Sequence, residues 1–440
     1  MTPDTSPQMH LSLNLSEYGR HAGAWRHPDN DYTVVPDIGR YVHAAQVAEG
    51  ALFDSVFLAD SPQHATTPSG ITSTRVDPFA VLSAIAVETH SVGLIGTMST
   101  SYSEPYTVAR RVAALDHLSH GRAAVNCVAS AGDRMARNFS LVSEHPHAQR
   151  YSRTEEHLTL MAKLWDSAGT ADSAPRPVDH HGEFFDVTGS LDIPRPPAGR
   201  PVIVQAGNSP EGRAVAGRWA EAIFAGSTTM PHAQEYYRDV KAQTAGAGRD
   251  PDHIKILLGV FPYIADTETA AQALKAELDE YHREHADTIG HLSAILGLDL
   301  STYDPEGPLP YADLPTPGQG NMGGWSMATL FPRMAREEGL TLGQIADRAF
   351  VGGLSNLQWS VVGTGEQVAA ELERWFRAGC CDGFAIVAPM TPKTIEDMAQ
   401  QVVPELQRTG VFRTEYTGST IRDHLGLPPV LGLPTAALVP

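Results

Sequence analysis

One stretch of the sequence combines the signals of a strand, a tight turn and a helix start: Gly199-Arg200-Pro201-Val202-Ile203-Val204-Gln205-Ala206-Gly207-Asn208-Ser209-Pro210-Glu211-Gly212-Arg213. The apolar, β-branched run from Pro201 to Val204 predicts a strand, and Ser209 directly before Pro210 is typical of an N-cap followed by a proline. A helix start leaves backbone N–H groups unpaired and has a partial positive charge, so it attracts anions. The stretch therefore predicts either a phosphate site or a well-capped connection, and Glu211 in the first helical turn favours the connection.

Short apolar runs alternate with amphipathic ones along most of the chain. The apolar runs predict eight strands, at residues 9–15, 55–59, 92–97, 123–128, 201–206, 222–225, within 254–264, and at 384–387. Helical spacing of apolar residues follows most of these runs, for example at 37–49, 78–89, 105–115, 150–165 and 366–378. Eight βα units predict an α/β protein of the (β/α)8 TIM barrel type with long insertions. An open doubly wound sheet is the alternative, and both folds place functional groups at the carboxyl ends of their strands.

The predicted barrel is a single domain at residues 9–427, followed by a C-terminal tail at 428–440. Its largest insertion covers about 285–353 and is predicted to be irregular, because the run from Pro315 to Gly324 has little capacity for regular structure. We expect this run to close over the barrel mouth as a lid, with Met322 or Trp325 supplying apolar cover. A disordered surface excursion is the alternative.

The balance of charge excludes several classes of partner. The chain has 440 residues, with 32 Lys and Arg against 51 Asp and Glu, and a formal net charge of −19. This acidic excess argues against nucleic acid or an anionic membrane surface as a partner. The residues from Met1 to Gln8 lack the pattern of a signal peptide, and no apolar stretch approaches the roughly 20 residues of a membrane span. Together with only three cysteines, these features predict a soluble, cytoplasmic protein.

Polar residues at the ends of the predicted strands form the candidate site. Parallel strands bring their carboxyl ends to one rim of a barrel, so these residues are expected to face a common mouth. They are Asp60 after the second strand, Thr97 at the end of the third, Asn126 in the fourth, and the turn Gly207-Asn208-Ser209 after the fifth.

The loop after the fourth strand, from Ser143 to Tyr151, is rich in groups that bind anions. If its helix already runs from Pro146, His147 and Tyr151 share one face. An imidazole and a phenol that face the barrel mouth suit a phosphate or an anionic flavin, and a solvated helix start is the alternative. His145 and His147 also form a His-x-His pair, but no second histidine pair lies at a strand end, so no metal site is predicted.

Several motifs in a fixed order identify a family by resemblance. They are His21-Ala22-Gly23-Ala24-Trp25-Arg26-His27, Phe57-Leu58-Ala59-Asp60, Leu115-Asp116-His117-Leu118-Ser119-His120-Gly121-Arg122, Arg137-Asn138-Phe139, Val204-Gln205-Ala206-Gly207 and Gly410-Val411-Phe412-Arg413-Thr414-Glu415-Tyr416. The sequence resembles the bacterial-luciferase-like two-component flavin-dependent monooxygenases, in the branch of nitrilotriacetate monooxygenase, pristinamycin IIA synthase and dibenzothiophene sulfone monooxygenase. The similarity extends from about Met9 to Leu427.

The resemblance implies an FMNH2-dependent monooxygenase on a luciferase-like barrel. Such an enzyme takes reduced FMN from a separate NAD(P)H:flavin reductase and uses dioxygen to oxygenate a small organic substrate. Thr97 and Asn126 match the polar pair that related enzymes place beside the flavin, where oxygen reacts, and they are the predicted catalytic residues. A homodimer or homotetramer is expected. The predicted cofactor-binding residues are the family's flavin contacts, carried over to Asp60, Thr97, His147, Tyr151 and Ser209, together with Gly207 and Asn208 of the phosphate turn.

Two departures from the family pattern affect the substrate cavity. The stretch Asn126-Cys127-Val128-Ala129-Ser130 lacks the hydroxyl that the family often has at the position of Ala129, and the segment between Trp165 and His180 is shorter than in the sulfone monooxygenase. Substrate identity is therefore not carried over. Two alternative functions remain: a deazaflavin-dependent hydride-transfer oxidoreductase on the same fold, and a flavin-binding barrel without catalysis.

Overall fold

A computed structural model describes residues 8–30, 35–62, 76–170, 173–283, 287–316, 324–350 and 358–430. The strands in these ranges are β1 His10–Asn14, β2 Ser55–Leu58, β3 Gly93–Ser99, β4 Ala123–Val128, β5 Val178–His181, β6 Asp186–Gly189, β7 Val202–Gln205, β8 Ala222–Ala225, β9 Lys255–Ile264, β10 Trp359–Gly363 and β11 Gly383–Val387. Most lie within two residues of a run that the apolar pattern predicts. Residues 181–187 predict a small hairpin arm, and the β5–β6 hairpin forms around them, whereas β10 has no predicted counterpart.

Eight parallel strands close into a barrel. Their order is β1-β2-β3-β4-β7-β8-β9-β11, and β11 pairs in turn with β1, from His10 opposite Gly383 to Asn14 opposite Val387. A closed parallel ring confirms the predicted (β/α)8 barrel and rules out the open sheet. β10 is an additional strand outside the ring, and it pairs with the second half of β9, from Val260 to Ile264.

Helices surround the barrel, and several begin at the caps that the sequence provides. Asp77 accepts hydrogen bonds from the backbone N–H of Phe79 and Ala80, and Thr364 forms a reciprocal capping box with Gln367. The helices are α1 Ile38–Gly50, α2 Pro78–Glu88, α3 Pro105–Leu118, α4 Asp133–Asn138, α5 His147–Ser167, α6 Pro210–Trp219, α7 Met230–Gly246, α8 Glu268–Arg283, α9 Thr288–Leu296, α10 Gly324–Glu338, α11 Leu342–Phe350, α12 Gly365–Arg377, α13 Lys393–Asp397, α14 Val403–Arg408 and α15 Ile421–His424. None of these helices is long and apolar enough to cross a membrane.

The inside of the barrel is apolar at its amino end and polar at its carboxyl end. One buried cluster joins residues of five neighbouring strands: Phe57, Ile95, Ala124, Val202, Val204 and Ala222. Only the interior of the ring brings these strands together on one face. Because side chains alternate along a strand, Thr97 and Asn126, each two residues beyond a cluster member, point into the same interior nearer the mouth.

The C-terminal segment closes the amino end of the barrel. Ile421 and Leu425 of α15 belong to the interior cluster, and a Cβ at Gly93 would lie only 2.7 Å from the Ile421 side chain. Ion pairs fix the segment: Arg422 donates to both carboxylate oxygens of Glu221 at 2.7 and 2.8 Å, and Arg413 pairs with the fully buried Asp54. The mouth at the carboxyl end is therefore the open side available for a ligand.

The described residues of the insertion form three helices with a core of their own. Leu292, Phe331 and Ile345, from α9, α10 and α11, belong to one buried cluster, and Arg333 of α10 approaches Nδ1 of His232 at the start of α7 at 3.0 Å. The prediction of an irregular insertion is therefore wrong for the described residues. The proposed lid falls largely outside them, because 317–323 and the side chain of Trp325 are not described.

Candidate active site

The Thr97 and Asn126 side chains form a buried polar pair inside the barrel mouth. They lie opposite each other in the β3–β4 register, and Asn126 Nδ2 donates to Thr97 Oγ1 at 3.1 Å. Their exposures are only 4% and 3%, and Asn126 Oδ1 has no hydrogen-bond partner among the described residues. Buried polar atoms in folded proteins are normally paired, so this oxygen points to a ligand that donates a hydrogen bond.

The turn between β7 and α6 is built by two glycines in close contact. A Cβ at Gly207 would lie 2.9 Å from Gly212 Cα, and a Cβ at Gly212 would lie 3.0 Å from Gly207 Cα and 3.1 Å from Tyr151 Oη. Tyr236 Oη donates to the carbonyl of Gly207 at 3.1 Å, and Asn208 Oδ1 is buried without a partner in the described chain. Only glycine permits this approach of strand to helix start.

Ser209 has two roles in this turn. Its Oγ accepts the backbone N–H of Gly212 at 3.1 Å, which makes it the N-cap of α6, and it donates to Tyr151 Oη at 3.1 Å. The cap that the sequence predicts is therefore confirmed. The contact with Tyr151 joins the start of α6 to the first turns of α5.

The start of α5 brings His147 and Tyr151 together, since their ring centroids lie 5.0 Å apart. His147 Nε2 lies 3.1 Å from Glu211 Oε2, and its Nδ1 lies 3.4 Å from Arg150 Nη2. Arg150 is 7% exposed and donates through Nη1 to Glu144 Oε2 at 3.0 Å. Cationic and phenolic groups of α5 thus converge on the first turn of α6.

Asp60 lies two residues beyond the end of β2, the strand that pairs with β3. Its carboxylate accepts the backbone N–H of Ser61 at 2.7 Å. Nearby, Asn138 Nδ2 donates to the carbonyl of Pro62 at 3.1 Å and so links the loops after β2 and β4. Asp60, the Thr97–Asn126 pair and the Gly207 turn therefore lie at the carboxyl ends of four adjacent strands, as predicted.

Two further groups at the mouth are not among the predicted site residues. His21, after β1, is 2% exposed; its Nε2 lies 3.0 Å from Asp279 Oδ1 of α8, and Lys275 Nζ donates to Asp279 Oδ2 at 2.6 Å. Burial opposes ionisation of Asp279, but the hydrogen bonds from His21 and Lys275 outweigh it and lower the pKa of the carboxyl. The pair is separated by 258 residues, so no local pattern could have revealed it.

The second group is an aromatic stack. The rings of Tyr102, after β3, and Phe139, after α4, lie parallel at 4.8 Å. Phe139 is 38% exposed although it is a large apolar residue, and burial raises the pKa of Tyr102. The motif Arg137-Asn138-Phe139 was a signal for Phe139, but nothing in the sequence pointed to its partner.

Two residues of reactive type, Cys127 and His147, are not placed to act as nucleophile or base. Cys127 of β4 is fully buried, and desolvation raises the pKa of its thiol to about 12, so it is not a nucleophile. His147 is engaged by Glu211 and Arg150. Among the described residues no group of three or more His, Cys, Asp or Glu side chains is placed to hold a metal ion.

Comparison with known proteins gives the family. A sequence model of the luciferase-like monooxygenases matches residues 19–381, a span that includes every candidate site residue. The chain belongs to the luciferase-like monooxygenase family. In this monooxygenase the polar rim of the barrel therefore lies within the span that the family shares.

Similar proteins cover this luciferase-like monooxygenase almost completely. The N-acetyl-S-(2-succino)cysteine monooxygenase of Bacillus subtilis strain 168 is 39% identical over 433 residues, which are 96% of this chain and 97% of that protein. Component A of the nitrilotriacetate monooxygenase of Aminobacter aminovorans is 39% identical over 448 aligned positions, 96% of each chain. A crystal structure of riboflavin lyase with modified FMN and riboflavin has a TM-score of 0.85 and 30% identity, and the match covers 98% of this chain and 99% of that chain. The predicted branch is confirmed.

Proposed function

We propose that this luciferase-like monooxygenase takes reduced FMN from a separate NAD(P)H:flavin reductase and uses dioxygen to oxygenate a small organic substrate. The observation that carries the proposal is the buried Thr97–Asn126 pair, whose free acceptor faces the mouth of the barrel beside the polar turn at Ser209. A cytoplasmic location and a homodimeric or homotetrameric assembly complete the proposal.

The residues of the mouth fit FMN at both of its ends. The unpaired Oδ1 of Asn126 suits an N–H donor of a flavin ring, and the hydroxyls of Ser209 and Tyr151 with the start of α6 suit a phosphate. Gly207 and Gly212 keep side chains out of the turn, so the backbone can approach a ligand closely. When bound, reduced FMN supplies the electrons that let one oxygen atom of dioxygen enter the substrate while the other leaves as water.

The chain's own residues would bind the phosphate of FMN, orient its ring system and shield the site from water. Ser209, Tyr151 and His147 hold the phosphate, and Asn208 and Asp60 supply polar contacts along the rim. Thr97 fixes the amide of Asn126, so that its oxygen presents one fixed acceptor to the ring system. The plugged amino end and the apolar interior below Thr97 exclude water from that side, which favours transfer of oxygen to substrate over loss to solvent.

The relatives support each part of the proposal. The name "component A" belongs to one part of a multicomponent system, which supports a separate reductase as partner. The riboflavin lyase crystal structure contains a modified FMN, which supports FMN as cofactor. The monooxygenase relatives also favour oxygen insertion over deazaflavin-dependent hydride transfer.

The test is turnover with FMN reduced by a generic NADH:flavin reductase. Candidate substrates are supplied under isotopically labelled dioxygen, and we expect one labelled oxygen atom in the product. Turnover with reduced deazaflavin but not with reduced FMN would contradict the proposal. Bound flavin without any oxygenated product across the substrate panel would favour the non-catalytic barrel instead.

A further inference from the structure

Glu211 places a negative charge where the proposed phosphate site needs positive charge. It lies in the first turn of α6, two residues after the N-cap Ser209, and its Oε2 lies 3.1 Å from His147 Nε2. A hydrogen bond from its own backbone N–H, and then one from His147, lower the pKa of Glu211, so the carboxylate is ionised at neutral pH. An anion of the chain itself is thus bound at the helix start.

The imidazole of His147 and the guanidinium of Arg150, next to this helix start, are already engaged. His147 lies between Glu211 on one side and Arg150 on the other, and Arg150 is paired with Glu144. Arg150 is only 7% exposed, yet its Nε has no hydrogen-bond partner among the described residues. A buried guanidinium with an unused donor beside His147 indicates a second anion-binding group at the same place.

We propose that Glu211 occupies the anion position at the start of α6 in the flavin-free chain and that a flavin phosphate must displace it from His147. This inference rests on the proposed function, because it assigns a regulator to the phosphate site named there. Glu211 keeps its charge beside the bound phosphate, so it weakens binding of phosphate-bearing flavin but not of riboflavin. At a few ångströms in a solvent-like dielectric, one such charge corresponds to about five- to tenfold in affinity.

The arrangement suits an oxygenase component that exchanges its flavin. Reduced FMN has to enter after each turnover and oxidised FMN has to leave, so very tight binding of the phosphate would delay release. Because Glu211 is about half exposed, its side chain has room to move away when a phosphate arrives and to return when it leaves. Glu211 thereby sets the affinity of the site without touching the ring system.

The experiment compares two ligands that differ only in the phosphate. Dissociation constants of FMN and of riboflavin are measured by flavin fluorescence for the natural chain, for Glu211→Gln and for Glu235→Gln. In Glu211→Gln the side-chain amide keeps a hydrogen-bond acceptor for His147, but the charge is gone. Glu235 is exposed on α7, so its variant controls for the same change in net charge. We expect Glu211→Gln to bind FMN about five- to tenfold more tightly, with riboflavin affinity unchanged and with no effect in the control.

The possible outcomes separate the inference from the function on which it rests. Equal FMN affinity in the natural chain and in Glu211→Gln overturns the inference, as does equal tightening of FMN and riboflavin. Glu211→Ala is a second variant that also removes the contact to His147, and failure to tighten FMN there overturns the inference too. If the natural chain binds neither flavin, the proposed function itself fails. If it binds FMN and turns over but Glu211→Gln has no effect, only the role of Glu211 fails.

Discussion

At the scale of single residues, Ser209 has an observed structural role as the cap of α6 and a proposed role in binding phosphate. Its Oγ accepts the N–H of Gly212 and its O–H donates to Tyr151 Oη; because the cap uses only the oxygen as acceptor, the O–H can turn from Tyr151 toward a phosphate. The two interpretations of the opening stretch, phosphate site and capped connection, are therefore compatible. Substitution of Ser209 allows its contribution to the free energy of unfolding to be measured separately from its contribution to FMN binding.

Ser209→Ala should lower both the stability of the fold and the affinity for FMN. Loss of an N-cap costs about 0.5–2 kcal/mol of stability, and loss of a charge-assisted hydrogen bond to phosphate costs roughly 1–2 kcal/mol of binding. Thr364→Ala is the matched control, because the Thr364 side chain likewise accepts the backbone N–H three residues on, from Gln367, and caps α12, which carries no candidate site residue. Thermal unfolding and FMN titration measure the two effects. Equal FMN binding in both variants would leave Ser209 as a cap alone.

Asn126→Ala and Thr97→Val should weaken the binding of reduced FMN by no more than one neutral hydrogen bond, about 0.5–1.5 kcal/mol, but should strongly reduce the product formed per flavin oxidised. The polar pair then no longer holds the oxygen-reacting centre in place, so hydrogen peroxide rises as product falls. Thr97→Val also leaves Asn126 Nδ2 buried without its acceptor, which costs about 1–3 kcal/mol of stability.

Thr244→Val is the control for this pair of variants, because it removes a buried hydroxyl of α7 that donates to the carbonyl of Val240 in its own helix and lies outside the candidate site. Product and peroxide are quantified against NADH consumed by the reductase. Undiminished coupling in both site variants, with loss of stability alone, would assign the pair to the core rather than to the chemistry.

At the scale of elements, the β7–α6 unit depends on the contact between Gly207 and Gly212. Gly207→Ala places a Cβ 2.9 Å from Gly212 Cα, so the strand and the helix start have to separate. We expect a loss of roughly 1–3 kcal/mol in stability, together with a large loss of FMN affinity. Gly246→Ala at the end of α7, where a Cβ would meet nothing within 4 Å, should change neither. Normal FMN affinity in Gly207→Ala would mean that the turn does not contact the phosphate.

The sequence predicts the barrel elements well because each carries its own local signal. Pro78 and Pro210 follow capping residues, and apolar runs such as 123–128 match strand bounds to the residue. The prediction for the insertion is wrong although α11 has Leu342, Ile345 and Ala349 at helical spacing, because the Pro- and Gly-rich run at 315–324 is typical of irregular chain and the helical signal after it is short. The helix α7 after β8 was not predicted.

The candidate site shows the same limit. Residues at strand ends could be predicted, because the rim of a parallel barrel collects them whatever the loops do. The pairs His21–Asp279 and Tyr102–Phe139 could not, since each joins two segments whose relative position is fixed only by tertiary packing. The contact of Glu211 with His147 likewise links two helices 64 residues apart in sequence.

At the scale of the whole molecule, a buried charge network holds the C-terminal segment against the amino end of the barrel. Asp54 is fully buried; it accepts from His10 Nδ1 at 2.8 Å and from the backbone N–H of Leu11 at 2.7 Å, and it pairs with Arg413. Burial disfavours its ionisation, but His10 and Arg413 outweigh that cost and lower the pKa of Asp54. The Asp54 carboxylate thus joins the first strand, β1, to the C-terminal segment.

A depressed folded-state pKa fixes the sign of the pH dependence. The stabilisation by Asp54 is fully present above the unfolded pKa of about 3.9 and is lost as the pH falls through the lower folded value. Thermal unfolding should therefore show stability declining below about pH 4. Asp54→Asn should cost about 3–5 kcal/mol at neutral pH, because it leaves Arg413 buried without its charge partner, and it should flatten the acid decline.

Asp192→Asn provides the comparison for this prediction, because Asp192 pairs with Arg110 at the surface, where both side chains are more than half exposed. An exposed pair is worth at most about 1 kcal/mol. If the two variants lose similar stability, the network around Asp54 does not hold the closure at the amino end.

The ten-residue strand β9 extends beyond the point where the barrel closes. Its first half pairs with β8 and β11, and its second half pairs with β10, the strand to which the chain returns after the insertion. The chain that leaves the sheet at the end of β9 therefore re-enters it as β10, hydrogen-bonded to that same strand. Since the entropy of closing a loop grows only logarithmically, doubling the length between them costs about 0.6 kcal/mol. The insertion is thus a module whose size can change during evolution while the register of the barrel, and the polar rim on the opposite strands, stays the same.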